Sequence, residues 1–160
     1  MTQYRPGPQQ RGDRPQADDL PASLPANVLD AIIVRGDAEQ TVEWAEKIGQ
    51  RLGQERLQTT QIRRFFSAVR EIEMDWPPDA PAGDPRAKRA QRQLLLLVPK
   101  LAYQERRGEQ GGGVNAGVRR LKNTLEPAIR AVGDNRERFG YFVEFFEAIL
   151  AYHRFHGGRN

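Results

Sequence analysis

The sequence predicts an all-α protein, a compact bundle of five to six helices behind a disordered N-terminal tail. Apolar residues recur at helical spacing (i, i+3, i+4, i+7) through most of residues 26–157, the mark of helices that bury one face. No segment alternates apolar with polar residues, and no Asn-Gly or Asp-Gly pair joins two apolar runs, so strands and hairpins lack support. Capping and breaking residues divide the periodic stretch into separate helices, and no internal repeat is evident.

Residues 1–25 hold five of the eleven prolines, show no apolar periodicity and balance three Arg against three Asp. They read as a disordered tail, leaving residues 26–160 as a single helical domain. A short apolar turn, Val28 to Val34, comes first. Asp37 with Gln40 makes a capping box for a helix carrying Trp44, Ala45, Ile48 and Leu52 on one face. Thr59 or Thr60 caps the next, whose stripe is Ile62, Phe65, Phe66, Val69, Ile72 and Trp76. Four prolines in the linker at 76–85 forbid regular structure. Asp84 and Pro85 then open a helix expected to run to Arg107, burying Ala90, Leu94, Leu97, Val98 and Leu101 and kinking at Pro99. A Gly-rich loop at 108–113 separates it from the stripe Val114, Val118, Leu121 and Leu125, which Pro127 is expected to divide from a short continuation to Val132. Asp134 and Glu137 make a second capping box ahead of Phe139, Phe142, Val143, Phe146, Ile149 and Leu150. Tyr141, Phe145, Tyr152 and Phe155 lie off that stripe, and a helix apolar nearly all round belongs at the centre of a bundle.

The chain of 160 residues is 38% hydrophobic and 29% charged, polar for a globular protein yet long enough to bury a core. It has no cysteine, which excludes disulfides, thiolate zinc sites and cysteine nucleophiles. No apolar run exceeds five residues, against the roughly 20 that cross a bilayer, and the first residues lack the apolar stretch of a signal peptide. A soluble, cytoplasmic protein is expected. Net charge is +4, unevenly spread: residues 86–122 hold ten Lys and Arg against two Glu, a net +8, leaving −4 on the remainder. A basic middle on an acidic remainder suggests a polyanionic partner; its bland counterpart is a solvated helical face.

Catalytic readings fail early. The two serines, Ser23 and Ser67, and the two histidines, His153 and His156, offer no triad, and Ser67 lacks a strand-to-helix elbow. His153 and His156 lack the Glu-x-x-His pattern of helical metal sites, since residue 150 is Leu. They read as packing or C-capping residues, and neither a metal nor another cofactor is implied. Gly111-x-Gly113-x-x-Ala116 matches a dinucleotide fingerprint only formally, because no strand precedes it. Binding chemistry survives. Arg63 and Arg64 flank the Ile62/Phe65/Phe66 stripe, and Arg70 follows Arg63 at i+7. Lys100, Tyr103 and Arg107 fall on one helical face, joining two cations to a side chain able to stack on a base or donate to a phosphate. Arg106 adjoins them, and Arg119 and Lys122 are i,i+3 partners beyond the glycine loop. These spacings suit backbone contact and offer no base-edge readout.

Three stretches together resemble one family: Thr59-Thr-Gln-Ile-Arg-Arg-Phe-Phe66, Leu94-Leu-Leu-Leu-Val-Pro-Lys-Leu-Ala-Tyr103, and Phe142 to Gly158 with its Glu-Ala-Ile-Leu-Ala-Tyr core. Their order and spacing are similar to the small subunit of the type III-A (Csm-type) CRISPR–Cas effector complex, over roughly residues 55–158. The resemblance implies a compact helical bundle without nuclease activity, an antiviral-defence subunit whose copies stack along the inner filament beside the backbone subunits. It implies guide RNA, target RNA, other subunits of the complex and further copies of itself as partners. By motif it carries over Arg63 and Arg64 after Gln-Ile, and Lys100, Tyr103 and Arg107 in and after the Lys-Leu-Ala-Tyr box. Gln104-Glu105 depart from the small residues that usually precede that basic pair. Two rivals stand beside this reading: a stand-alone oligomeric helical nucleic-acid-binding protein, and a metal-dependent nuclease.

Overall fold

A computed structural model describes residues 20–107 and 115–157, excepting the Arg107 side chain. These residues form an all-helical bundle. Its elements are α1 (Ala26–Leu29) running into a π-helical turn (Asp30–Val34), α2 (Ala38–Gln54), α3 (Thr59–Asp75), α4 (Pro85–Leu95), α5 (Leu97–Arg107), α6 (Ala116–Val132) and α7 (Arg136–Phe155). The last helix is central, as its all-round apolar sequence predicts: α7 packs on α2, α3, α6 and the π-helical turn. Phe139, Phe142, Phe145, Phe146 and Ile149 are buried, whereas Phe155 at its end is exposed.

Aromatic rings tie the end of α3 to the start of α7, and the middle of α3 to the middle of α7. Trp76 stacks on Phe139 with centroids 4.9 Å apart, Phe142 meets Phe146 edge-on at 6.2 Å, and Phe66 meets Phe146 edge-on at 5.3 Å. Such offset and edge-on pairs add about 0.5–1.5 kcal/mol beyond the area they bury. Arg136 Nε donates to the Trp76 carbonyl at 2.9 Å, fixing the chain where the proline linker begins. On the other side of α7, Gly36 faces Tyr141 and Gly49 faces Ile149–His153, so α2 and α7 run parallel. A Cβ at Gly49 would lie 2.7 Å from the His153 backbone nitrogen, so only glycine permits this approach.

The turn between α2 and α3 is pinned from two sides, and this positions the basic start of α3. His153 is buried with Nε2 2.7 Å from the Leu57 carbonyl, a packing role as expected. Arg120 Nε donates to both Glu55 oxygens at 2.9 and 3.0 Å, and Arg51 Nε donates to Glu55 Oε1 at 3.0 Å.

Several local expectations need correction. α3 begins one residue early, with Gln58 at the N-cap and Gln61 Oε1 accepting from the Gln58 backbone N–H at 3.2 Å; Thr59 is drawn into the core instead of capping. α7 is capped by Asn135, whose Oδ1 accepts from Arg138 N–H at 3.0 Å, and not by Asp134. The expected single helix from Pro85 to Arg107 breaks at Leu96, three residues before Pro99. The proline has no N–H for the Leu95 carbonyl and its ring crowds that oxygen, so the break falls one turn upstream. Pro99 then sits in the first turn of α5, where no intrahelical donor is needed. Pro127 does not divide α6, which runs unbroken with Ala128, Ile129 and Val132 buried beyond it; packing of that last turn outweighs one missing backbone bond. The boundary at residue 25 also moves, because Leu24 is buried in the core and Leu20 packs against it. The Gly-rich loop at 108–113 and Val114 lie outside the described residues.

Candidate nucleic-acid interface

Helices α3 and α5 diverge enough to leave an open cleft of about 430 Å³ between them, lined by Arg64, Phe65 and Ala68 of α3 and by Leu97, Pro99, Lys100, Tyr103 and Gln104 of α5. Phe65 and Leu97 are core residues whose edges form an apolar floor, while Arg64, Lys100 and Tyr103 are exposed at the rim. The helical register explains this split. Leu97 and Leu101 point into the bundle, which leaves Lys100 and Tyr103 on the outward side. A more polar branch of about 240 Å³ adjoins the cleft, sharing Arg64, Phe65 and Gln104 with it and lined also by Gln58, Thr60, Gln61 and Val118. The whole groove therefore offers cations, amides and one aromatic ring along an apolar base.

The predicted residues separate into groups. Arg64, Lys100 and Tyr103 converge on the cleft. Arg63 and Arg106 are exposed on the same two helices but do not line the cleft, and with Arg64 and Lys100 they have no ion-pair partner among the described residues. Arg70 is turned to Glu73 at 2.7 Å, with its guanidinium 6.0 Å from the Phe66 ring centroid. Arg119 and Lys122 are held by Glu105 at 2.6 and 2.8 Å, so much of their charge is spent within the fold, clamping α5 to α6. The Arg107 side chain lies outside the described residues. Sequence reasoning missed Gln104 and Gln61 as cleft residues. It also passed over Lys88, Arg89 and Arg92, exposed on α4 opposite the buried Ala87, Ala90 and Leu94.

Hydrogen bonds from the Lys122 ammonium and then the Arg119 guanidinium hold the Glu105 carboxyl below its ordinary value, despite its burial. A depressed acid stabilises the fold above its ordinary pKa, and that contribution is lost as pH falls through the folded value. Glu105→Gln should therefore lower the denaturant midpoint at pH 7. The gap from the parent protein should close as pH drops below about 4.5, the group's ordinary value. A gap independent of pH would show that the clamp is not electrostatic.

A family model described as Csm2 Type III-A matches residues 35–159, spanning every helix from α2 to α7. The chain belongs to this family. It is thus a small subunit of the type III-A CRISPR effector complex, and its partners include other subunits of that complex. No curated relative and no solved structure matches the chain. All three stretches that carry the sequence resemblance fall inside the matched region. In this Csm2-family chain the first two supply opposite walls of one cleft, Arg64 from one and Lys100 with Tyr103 from the other. Among the described residues no helix is long and apolar enough to cross a membrane.

Proposed function

We propose that this Csm2-family subunit lines the inner filament of the type III-A complex in the cytoplasm and contacts the backbone of guide–target RNA, without catalysing a reaction. The observation that carries this reading is the convergence of Arg64 from α3 with Lys100 and Tyr103 from α5 onto one open cleft. Among the described residues no carboxylate pairs with Arg64 or Lys100, and the exposed Arg63 and Arg106 add positive charge to the same two helices. Guide pairing supplies the sequence in an RNA-guided complex, so a protein in this position reads A-form shape and phosphate charge. Further copies of the same chain would continue the strip along the RNA.

Affinity tagging in the native cell tests the reading. The tagged subunit should bring down guide RNA together with several larger subunits, while the purified chain alone holds RNA only weakly at physiological salt. Stable binding by the isolated chain, with no guide RNA or larger subunits recovered, would favour a stand-alone nucleic-acid-binding protein. Divalent-metal-dependent RNA cleavage by the purified chain would overturn the non-catalytic role.

A further inference from the structure

We infer that the α3–α5 cleft accepts one unstacked RNA base, held against Tyr103 while Arg64 and Lys100 hold the phosphates on either side. This goes beyond backbone contact and rests on the RNA-binding reading above. Phosphate recognition alone requires exposed cations and no cavity. Here the cations stand at the mouth of a cleft of about 430 Å³, within the roughly 300–1,000 Å³ range of small-ligand sites.

The lining matches a nucleotide piece by piece. Phe65, Ala68, Leu97 and Pro99 give an apolar interior suited to the flat face of a base. Tyr103 is 65% exposed at the rim, and among the described residues its ring and hydroxyl make no ring contact or hydrogen bond. Base–aromatic stacking is the usual way proteins hold single-stranded RNA, and it tolerates any base because each has a π-face. Arg64 and Lys100 come from opposite walls, so a strand crossing the cleft would meet positive charge before and after the inserted base. The side chains of Gln61 and Gln104 in the polar branch can donate to a ribose hydroxyl or to a base edge. A peptide from a protein partner would need an acidic flank to satisfy the same two cations, whereas RNA carries a phosphate at every residue. The charge of the rim therefore favours RNA.

The test is a titration of isotope-labelled full-length protein, followed by NMR at low salt, with a short single-stranded RNA and with an abasic RNA of the same length. The base-bearing probe should shift the Tyr103 ring and the Ala68 and Leu97 methyls, and it should bind more tightly than the abasic one. Tyr103→Ala should remove that advantage, about 5- to 150-fold for a single stack, bringing the base-bearing probe down to the affinity of the abasic one. Tyr103→Phe should retain it. Because Tyr103 is exposed, these variants test the stack without disturbing the core. Equal affinity for the two probes, with shifts confined to residues near Arg64 and Lys100, would overturn base insertion and leave backbone binding intact. No salt-sensitive shift with either probe would overturn both. Cleft shifts that grow with protein concentration in the absence of RNA would instead identify a second copy of the chain as the occupant.

Discussion

Replacing Phe146 with alanine is expected to destabilise the protein by about 3–5 kcal/mol, the cost of removing a buried aromatic side chain and leaving a cavity. Phe146 is 1% exposed and meets two rings edge-on, Phe66 of α3 and Phe142 of its own helix. The substitution thus removes apolar burial and both ring contacts, at the centre of the helix that most others pack against. Domains of this size are stable by only about 5–15 kcal/mol, so the loss would be a large fraction of the whole. Denaturant titration gives the answer directly. A loss below about 1 kcal/mol would mean that α7 is not the centre of the core. Phe155→Ala is the matched control: its ring is 78% exposed, and its removal should change stability by no more than about 0.5 kcal/mol.

Helices were legible wherever burial repeats every three or four residues. The stripes of α3 and α7 are read from sequence nearly residue by residue, because most periodic apolar positions are core positions, with Phe66 and Leu150 half-buried against them. Helix ends were less legible. Asp134 and Asn135 are both good caps, as are Thr59 and Thr60, and only tertiary packing decides which residue stays outside the helix. Once Thr59 is drawn inward, Gln58 becomes the boundary. Proline positions were visible but their consequences were not. Pro99 moves the break one turn upstream, while Pro127 is carried through by the burial of the turn beyond it. Leu24 looked like part of the tail because one apolar residue among prolines has no period to reveal it.

The candidate site divides along the same line. Lys100 and Tyr103 share a face because they are three residues apart on one helix, which the sequence states outright. That Arg64 stands across from them depends on how α3 and α5 meet, which no local pattern encodes. Capture of Arg119 and Lys122 by Glu105 had one available signal. Glu105 and Glu109 are the only acids in the basic segment, and an acid isolated among cations attracts them. The pairing itself needs α5 and α6 to be side by side, 14 residues apart at the Arg119 bond.

A double charge reversal asks whether the cleft and its cations face RNA in the assembled complex, as proposed. Arg64→Glu combined with Lys100→Glu places two negative charges where phosphates are expected. Both side chains are exposed and have no ion-pair partner among the described residues, so the fold should be unchanged by circular dichroism. Target-RNA retention by complexes reconstituted with the variant should be measured across a salt series. Each phosphate contact releases counterions, so every lost contact should reduce the log–log salt slope by about 0.7 to 0.9. Retention should weaken at every salt concentration and the slope should flatten, with little dependence on RNA sequence. Unchanged retention with an unchanged slope, in a complex that still incorporates the variant subunit, would contradict that placement and leave the cleft facing solvent or protein.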